Sequence, residues 1–270
     1  MKETSNVIEF SLESKEGKVI FRRKTSLEDR MLIYYKELCV GCGICFEVCP
    51  GSCIELNPIS ATRGVAPYPS IVIDPEKCYL CGICNEVCFF NALKLFINGE
   101  EVKYLEGSPR YALIYEIDES KCKPDCKECE LACPRDAIKC ISKVERDEEK
   151  CVYCTACKLA CPEGAIVVEK VFSGSIELDL EKCQACGACV DVCPTKALIM
   201  QEPEFGKEVE KLSIMEERCI YCKACANACP LDAISVVRSR VNYVVAEKSP
   251  WTKTHEEAFK RLAEGDSGGV

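Results

Sequence analysis

One cysteine pattern occurs six times along this chain of 270 residues and limits the possible folds more than any other feature. Its first copy, CVGCGICFEVCP at residues 39–50, places four cysteines within eleven positions, and the six copies use 24 of the 26 cysteines. Such a repeat has to be interpreted first, because it sets the architecture. The six copies begin at Cys39, Cys78, Cys122, Cys151, Cys183 and Cys219.

The spacing C-x2-C-x2-C-x3-C-P is the one with which bacterial ferredoxins hold four-iron clusters. A loop with a cysteine at every third position can surround three corners of a cuboidal cluster and point backbone N–H groups at the sulfurs. The fourth cysteine lies on the following helical turn and points away, so it binds the second cluster of a pair. The pattern therefore predicts six [4Fe-4S] clusters in three pairs, with iron as the metal.

Crossed ligation assigns each fourth cysteine to the cluster of the neighbouring motif. The third motif has one extra residue between its first two cysteines, which we expect to change the solvent exposure of its cluster. The second motif has Phe89 where the pattern has proline, and we expect little effect because that proline binds nothing. The predicted ligand sets are Cys39, Cys42, Cys45 and Cys88; Cys78, Cys81, Cys84 and Cys49; Cys122, Cys126, Cys129 and Cys161; Cys151, Cys154, Cys157 and Cys133; Cys183, Cys186, Cys189 and Cys229; and Cys219, Cys222, Cys225 and Cys193.

Zinc and disulfides are the other common uses of clustered cysteines. Zinc sites use two separated C-x2-C pairs, so that four sulfurs reach a tetrahedron from two sides, and this run does not match. A disulfide scaffold suits a short secreted chain, whereas the N-terminus MKETSNVIEFSLESKEG has no apolar signal-peptide core. Clustered thiols in a reducing cytosol usually hold metal, so we expect a cytoplasmic location.

Charge and missing motifs limit the function. The formal charge is −9, and each oxidised cluster with four thiolates would add roughly −2, so nucleic-acid binding is not expected. There is no apolar run of about 18 residues, which argues against direct membrane insertion. We find no dinucleotide-binding glycine motif, P-loop or nucleophile with a base. We therefore expect an electron-transfer subunit with no catalytic residues rather than an enzyme.

The sequence before and after each motif predicts an α+β fold of tandem ferredoxin-like two-cluster domains. Apolar runs typical of strands precede and follow the cysteine motifs, and six motifs give three units. The turns NGEE and EGSP indicate the first boundary and SGS at 173–175 the second, although a nested arrangement also fits the spacing. The predicted segments are an N-terminal hairpin or docking segment at 1–30, ferredoxin units at 31–106, 107–172 and 173–246, and a C-terminal helix and tail at 247–270.

The two ends differ from the repeats. Alternation over residues 7–22 predicts a β-hairpin, and NPISATRGVAPYPS at 57–70 reads as an inserted loop. Thr254 and Glu257 form a capping-box pattern for a C-terminal helix that Gly265 would stop. These end segments either pack on their own domains or dock to a partner. The predicted buried face of the helix is Ala258, Phe259 and Leu262.

Three further residues have no place in the motifs. Cys53 lies four residues after Cys49, where the other five motifs have alanine, so the position favours a small buried residue. Cys140 lies in a predicted strand. We interpret both as packing residues, with a ligand or redox role as the alternative. His255, the only histidine, is predicted to be exposed and without a role.

The motifs resemble the bacterial-type two-cluster ferredoxins, joined in series as in archaeal polyferredoxins. The segments KVIFRRKTSLEDR, CYLCGICNEVC and NALKLFINGEEV further resemble the polyferredoxin subunits of formylmethanofuran dehydrogenases of methanogenesis, which usually have eight motifs. The resemblance implies tungsten or molybdenum subunits as partners, and an external ferredoxin or other redox protein at the far end. The alternatives are a free-standing electron carrier or reservoir, or a wiring subunit of a hydrogenase or heterodisulfide-type complex.

Overall fold

The computed structural model describes residues 7–57, 70–141, 143–202, 211–245 and 252–264. The inserted loop predicted between the first two motifs falls almost entirely at 58–69 and lies outside these residues, as does Gly265. Among the described residues no helix has both the length and the apolar character needed to span a lipid bilayer.

The N-terminal hairpin forms and extends the sheet of the first two motifs. Strands β1 (Val7–Lys15) and β2 (Lys18–Thr25) pair antiparallel. Strand β2 also pairs antiparallel with β3 (Asp29–Tyr35), which follows it in the chain. Arg23 and Arg30 donate hydrogen bonds to the carbonyls of Cys78 and Leu80, at 2.9 and 3.1 Å, so the arginines hold the loop of the second motif. The hairpin therefore packs on its own part of the chain.

The first two motifs lie between strands that pair with one another. Strand β3 pairs with β6 (Leu93–Ile97), which is connected to β7 (Glu100–Val102) by a turn whose Asn98 and Gly99 have φ angles of 54° and 89°. The five strands have the order β1-β2-β3-β6-β7. The remaining elements of this part are α1 (Ile44–Val48), β4 (Ile54–Asn57), β5 (Ser70–Ile73) and α2 (Ile83–Glu86).

The strand arrangement of the first motif pair recurs around the other two pairs. In each case the strand before the first motif pairs antiparallel with the strand after the second, and the two strands between the motifs pair together. The strand pairs thus enclose consecutive motifs. The elements are β8 (Arg110–Tyr111), β9 (Tyr115–Ile117), α3 (Glu128–Leu131), β10 (Ile138–Cys140), β11 (Val144–Arg146), α4 (Ala156–Ala160), β12 (Ile166–Val168), β13 (Phe172–Leu178), α5 (Ala188–Asp191), β14 (Leu198–Met200), β15 (Leu212–Ile214), α6 (Ala224–Ala228), β16 (Ile234–Val241) and β17 (Tyr243–Val244).

The SGS segment, predicted to mark the second boundary, lies near the start of a strand that encloses the third motif pair. Residues 173–175 lie inside β13, which pairs with β16 through a register shift between Ser173 and Gly174. A Cβ atom at Gly174 would lie 1.9 Å from the carbonyl oxygen of Val237. Glycine is needed here because the two strand backbones approach closely. In the sequence, a glycine between two serines has the same composition as a turn.

The linker after the first unit pairs with a distant part of the chain. Strand β8 pairs with β17, so Arg110 and Tyr111 join residues that follow the sixth motif rather than the second pair of motifs. The Tyr111 ring packs 4.5 Å from Phe89 and 5.0 Å from the ring of Phe259, measured between ring centroids. Phe89, at the position of the usual proline, therefore connects the first unit to the end of the chain.

The C-terminal helix differs from its prediction at its start and at its histidine. Helix α7 (Thr252–Glu264) begins before Thr254, so Thr254 is inside the helix and cannot be its N-cap. His255 is only 1% exposed, and its Nδ1 lies 2.7 Å from an Oε atom of the buried Glu86. The expectation of an exposed histidine was wrong because the helix packs against α1 and β16. The predicted buried face is confirmed, with Ala258, Phe259 and Leu262 fully buried.

Arg238 joins three parts of the fold at one buried position. Its side chain is 1% exposed and forms an ion pair with Glu47, which also pairs with Lys223. The guanidinium donates to the carbonyl of Leu262 at 3.1 Å and lies over the ring of Phe172. An arginine with this many buried partners fixes the first and third units and α7 relative to each other.

Candidate iron–sulfur sites

Each cysteine loop is shaped by residues with left-handed backbone conformations. In the first motif Gly41 and Gly43 have φ angles of 69° and 77°, and they alternate with the first three cysteines. Non-glycine residues adopt the same conformation in later motifs, at a cost of order 1–3 kcal/mol each that the rest of the fold has to offset. These residues are Leu80, Asp125, Tyr153, Thr155, Ala185, Tyr221 and Lys223. The third motif departs, because Lys127 before its helix has a φ of −127°.

The loop conformation directs backbone N–H groups at the thiols, as predicted. The N–H groups of Leu80 and Ile83 bond to the sulfurs of Cys78 and Cys81, where they partly offset the rise in thiol pKa that burial causes. The N–H of Tyr221 lies 3.4 Å from the sulfur of Cys219. N–H donors around sulfur stabilise an anionic site, which is what a thiolate-bound cluster requires.

The short helix carries the third cysteine, and the fourth follows its end. In the first motif Cys45 lies in α1 and Cys49 comes immediately after it. The prediction placed the fourth cysteine on the helical turn, but these helices have only four or five residues and the chain leaves before reaching it. The change of direction there carries the fourth sulfur away from its own loop.

A second hydrogen bond recurs at every fourth cysteine. The backbone N–H four residues later points at the sulfur, and the side chain at that position is at most 5% exposed in all six motifs, which confirms the expected requirement for a small residue. The six N–H···S distances are 3.5 Å for Cys53 to Cys49, 3.3 Å for Ala92 to Cys88, 3.2 Å for Ala137 to Cys133, 3.3 Å for Ala165 to Cys161, 3.3 Å for Ala197 to Cys193 and 3.3 Å for Ala233 to Cys229.

The fold brings the fourth cysteine of one motif among the first three of its neighbour. Burial raises the pKa of Cys45, and repulsion from the thiols of Cys42, Cys84, Cys88 and Cys39 adds to the rise. Cys88, from the second motif, is therefore an electrostatic neighbour of the first.

The reciprocal neighbour is Cys49. Burial raises the pKa of Cys81, and the Cys49 thiol contributes further repulsion. The sulfurs of the first motif pair thus form two groups, each made from both motifs.

The other two motif pairs show the same exchange. Burial raises the pKa of Cys154 to about 11, with Cys133 among the thiols that repel it, and Cys161 is a neighbour of Cys122. In the third pair, burial raises the pKa of Cys189 to about 11 and that of Cys225 to about 12. The thiol of Cys229 is among those that repel Cys189, and the thiol of Cys193 is among those that repel Cys225. In all three motif pairs, each fourth cysteine is therefore an electrostatic neighbour of a thiol in the partner motif.

These groups fit a polynuclear cluster better than a single ion. Within the described residues no three His, Cys, Asp or Glu side chains approach closely enough to hold one metal ion. Zinc would need its sulfurs about 2.3 Å from one point. A four-iron cube separates its ligands more widely, because each thiolate binds a different corner.

Three of the six groups meet at one apolar region. We call the region around Phe90, Val152, Val192 and Ile220 the shared core; it also includes Ala224 and Ala228. Against it pack cysteines from all three motif pairs, and the Cys42 thiol is an electrostatic neighbour of Cys222. We call the groups of Cys42, Cys154 and Cys222 the inner sites and the other three the outer sites. The cysteines at the shared core are Cys42, Cys88, Cys154 and Cys222.

The outer site of the third motif opens to solvent. Its Cys122 is the one exposed cysteine of the chain, and a surface cavity of about 590 Å³ is lined by Cys122, Cys126 and Pro124. Leu131 and Ile141 nearby are 78% and 83% exposed. The extra residue of this motif thus goes with an exposed site, which confirms the expected change in exposure.

This exposure predicts which cluster is lost first. When the anaerobic holoprotein is treated with a slow iron chelator, we expect the site of Cys122 to lose its iron before the others, because water and chelator reach it directly. Among the predicted ligands, mass spectrometry after alkylation should show Cys122 and Cys126 labelled first; Cys140 lines the same cavity but is not a predicted ligand, so its labelling does not report loss of iron. Earlier labelling of Cys222, which is buried at the shared core, would contradict this expectation.

The chain is similar to known iron–sulfur proteins over most of its length. The family described as 4Fe-4S dicluster domain matches residues 38–92 and 182–233, and a second family of the same description matches 143–194. In a solved structure of the formate dehydrogenase–heterodisulfide reductase–formylmethanofuran dehydrogenase complex from Methanospirillum hungatei, one chain superposes with a TM-score of 0.80. That chain is 31% identical, and the match covers 95% of this protein and 92% of that one.

These matches, together with the cysteine loops and paired strands, define an electron-transfer protein with four-iron clusters. The chain belongs to the polyferredoxins of the bacterial-type two-cluster ferredoxin family. Among them it resembles polyferredoxin FwdF of Methanocaldococcus jannaschii, with 44% identity over 89 residues. That match covers 33% of this chain and a quarter of the relative.

Proposed function

We propose that the chain holds six four-iron clusters in three tandem ferredoxin units and conducts electrons between an oxidoreductase and an external redox partner. The observation that carries the proposal is the meeting of one thiol group from each motif pair at the shared core. The bound clusters would each take up and release one electron. The residues of the chain set the distances between these centres, exclude water from the inner ones and supply N–H donors to their sulfurs.

The proposed ligands are the 24 cysteines of the six motifs in crossed sets. Support comes from the fourth cysteine of each motif, whose thiol is an electrostatic neighbour of a thiol in the partner motif. Every pair of sites lies within one strand-enclosed unit, and the three inner sites are neighbours across the shared core. Electrons tunnel efficiently only over short gaps, so this placement favours a branched path with three outer ends.

The proposed setting is a formylmethanofuran dehydrogenase-type complex, with tungsten or molybdenum subunits at one end of the path. Support comes from the similarity to a chain of the M. hungatei complex over nearly the whole length of both chains. That complex also includes heterodisulfide reductase, which favours a role between enzymes over that of a diffusing carrier. The external partner would be a ferredoxin or another redox protein.

Anaerobic purification of the native protein tests both parts of this proposal. Six clusters require about 24 iron atoms per chain, and subunit identification should find a tungsten or molybdenum protein in the same complex. About half that iron, or mostly zinc, would refute the six-cluster assignment. Elution of the fully loaded chain without an enzyme would instead support a free-standing carrier.

A further inference from the structure

The two cysteines outside the motifs each contact the sulfur of a predicted ligand. The Cys53 sulfur lies 3.3 Å from that of Cys49, and the Cys78 thiol is an electrostatic neighbour of Cys53. Both partners belong to the outer site of the first unit. Cys53 is 5% exposed, so its thiol is largely shielded from water as a competing acceptor.

Cys140 makes the corresponding contact in the second unit from a different position. Its sulfur lies 3.5 Å from that of Cys129, a predicted ligand of the outer site around Cys122. Its backbone N–H donates to an Oε atom of Glu130 at 2.9 Å, which holds β10 against the short helix that carries Cys129. Two unrelated positions thus provide the same sulfur contact.

The third outer site has neither extra thiol. The position equivalent to Cys53 beside Cys229 is Ala233, and the position equivalent to Cys140 relative to Cys189 is Met200. The extra thiols therefore distinguish two of the three outer ends. Neither is needed as a ligand, because each of these groups already contains four cysteines.

We propose that Cys53 and Cys140 donate S–H hydrogen bonds to ligand sulfurs and raise the reduction potentials of the first and second outer clusters. This inference rests on the proposed function. A donor at a thiolate sulfur stabilises negative charge, and reduction adds one electron, so the donor favours the reduced cluster. Removing it lowers the potential. Electrons in a partly reduced chain then reside preferentially at the two outer ends that carry the extra thiol.

The test uses the full-length holoprotein and substitutions that other motifs already contain. Cys53→Ala introduces the residue found at this position in the other five motifs, and Cys140→Val introduces the residue found in the fourth and sixth. Anaerobic redox titration followed by electron paramagnetic resonance should show one cluster shifted to lower potential in each variant. Cys53→Ser keeps an O–H donor and should restore a large part of the shift.

The reverse substitution is the matched control. Ala233→Cys places a thiol beside Cys229, whose sulfur is 3.3 Å from the backbone N–H of Ala233, and should raise the potential of the third outer cluster. Full iron content with no shift in the Cys53→Ala and Cys140→Val variants would overturn the inference. Loss of about four iron atoms from either variant would overturn it too, because the cysteine would then be a ligand. Absence of iron from the wild-type chain would instead refute the proposed function.

Discussion

Removing the iron from the holoprotein is expected to abolish its cooperative unfolding transition. In the second unit the paired strands β9 and β12, and β10 and β11, have only three residues each. Isolated two-stranded sheets of this size are at best marginally stable. The core of that unit is built largely around the cysteines, so bonds from thiolate to iron have to supply much of its folding free energy.

The first unit provides an internal comparison for this experiment. Its five-stranded sheet contributes the buried side chains of Phe21, Leu32 and Tyr34, and none of these residues is a predicted cluster ligand. After chelation under reducing conditions, hydrogen exchange should show β9–β12 unprotected while β2 and β3 keep the most protection. An iron-free chain with a single cooperative thermal transition and the circular dichroism of the holoprotein would contradict the prediction.

Breaking the inner site of the third unit is expected to disconnect that unit from the rest of the chain. Cys222 is 8% exposed, packs in the shared core and is an electrostatic neighbour of Cys42 in the first unit. The outer site around Cys186 adjoins the inner site, since its Cys189 is an electrostatic neighbour of Cys225, and we expect electrons to reach the outer site through the inner one. Loss of a thiolate in Cys222→Ser should therefore interrupt every path that uses the third unit.

Two variants of the native complex, one at the outer site and one at the inner site of the third unit, test this prediction. If the external partner binds at the third unit, Cys186→Ser and Cys222→Ser should both reduce exchange with that partner to a small fraction of wild type. Activity with an artificial dye that enters upstream should largely persist in both. If the partner binds elsewhere, Cys186→Ser should have little effect. A loss of exchange in Cys186→Ser with normal exchange in Cys222→Ser would refute the series order.

The local features of the fold could be predicted from the sequence. Motif spacing, the apolar runs around each motif, and the alternation over residues 7–22 predicted the cysteine loops, the flanking strands and the hairpin. The alanine at five of six equivalent positions predicted a small buried residue, and the burial of Cys53 and Ala92 confirms it. These features are encoded within about a dozen neighbouring residues, because loop and strand geometry repeats over that distance.

Contacts between distant residues could not be predicted in this way. Gly174 lies in a strand because the backbone of Val237 approaches it, and the buried His255 contacts Glu86, which lies 169 positions earlier in the chain. The same limit applies to the pairing of β8 with β17. The sequence by itself determined which residues form cysteine loops, and it predicted that consecutive motifs pair. Only the tertiary structure decided that three thiol groups meet at one core, because that core is assembled from side chains of all three units.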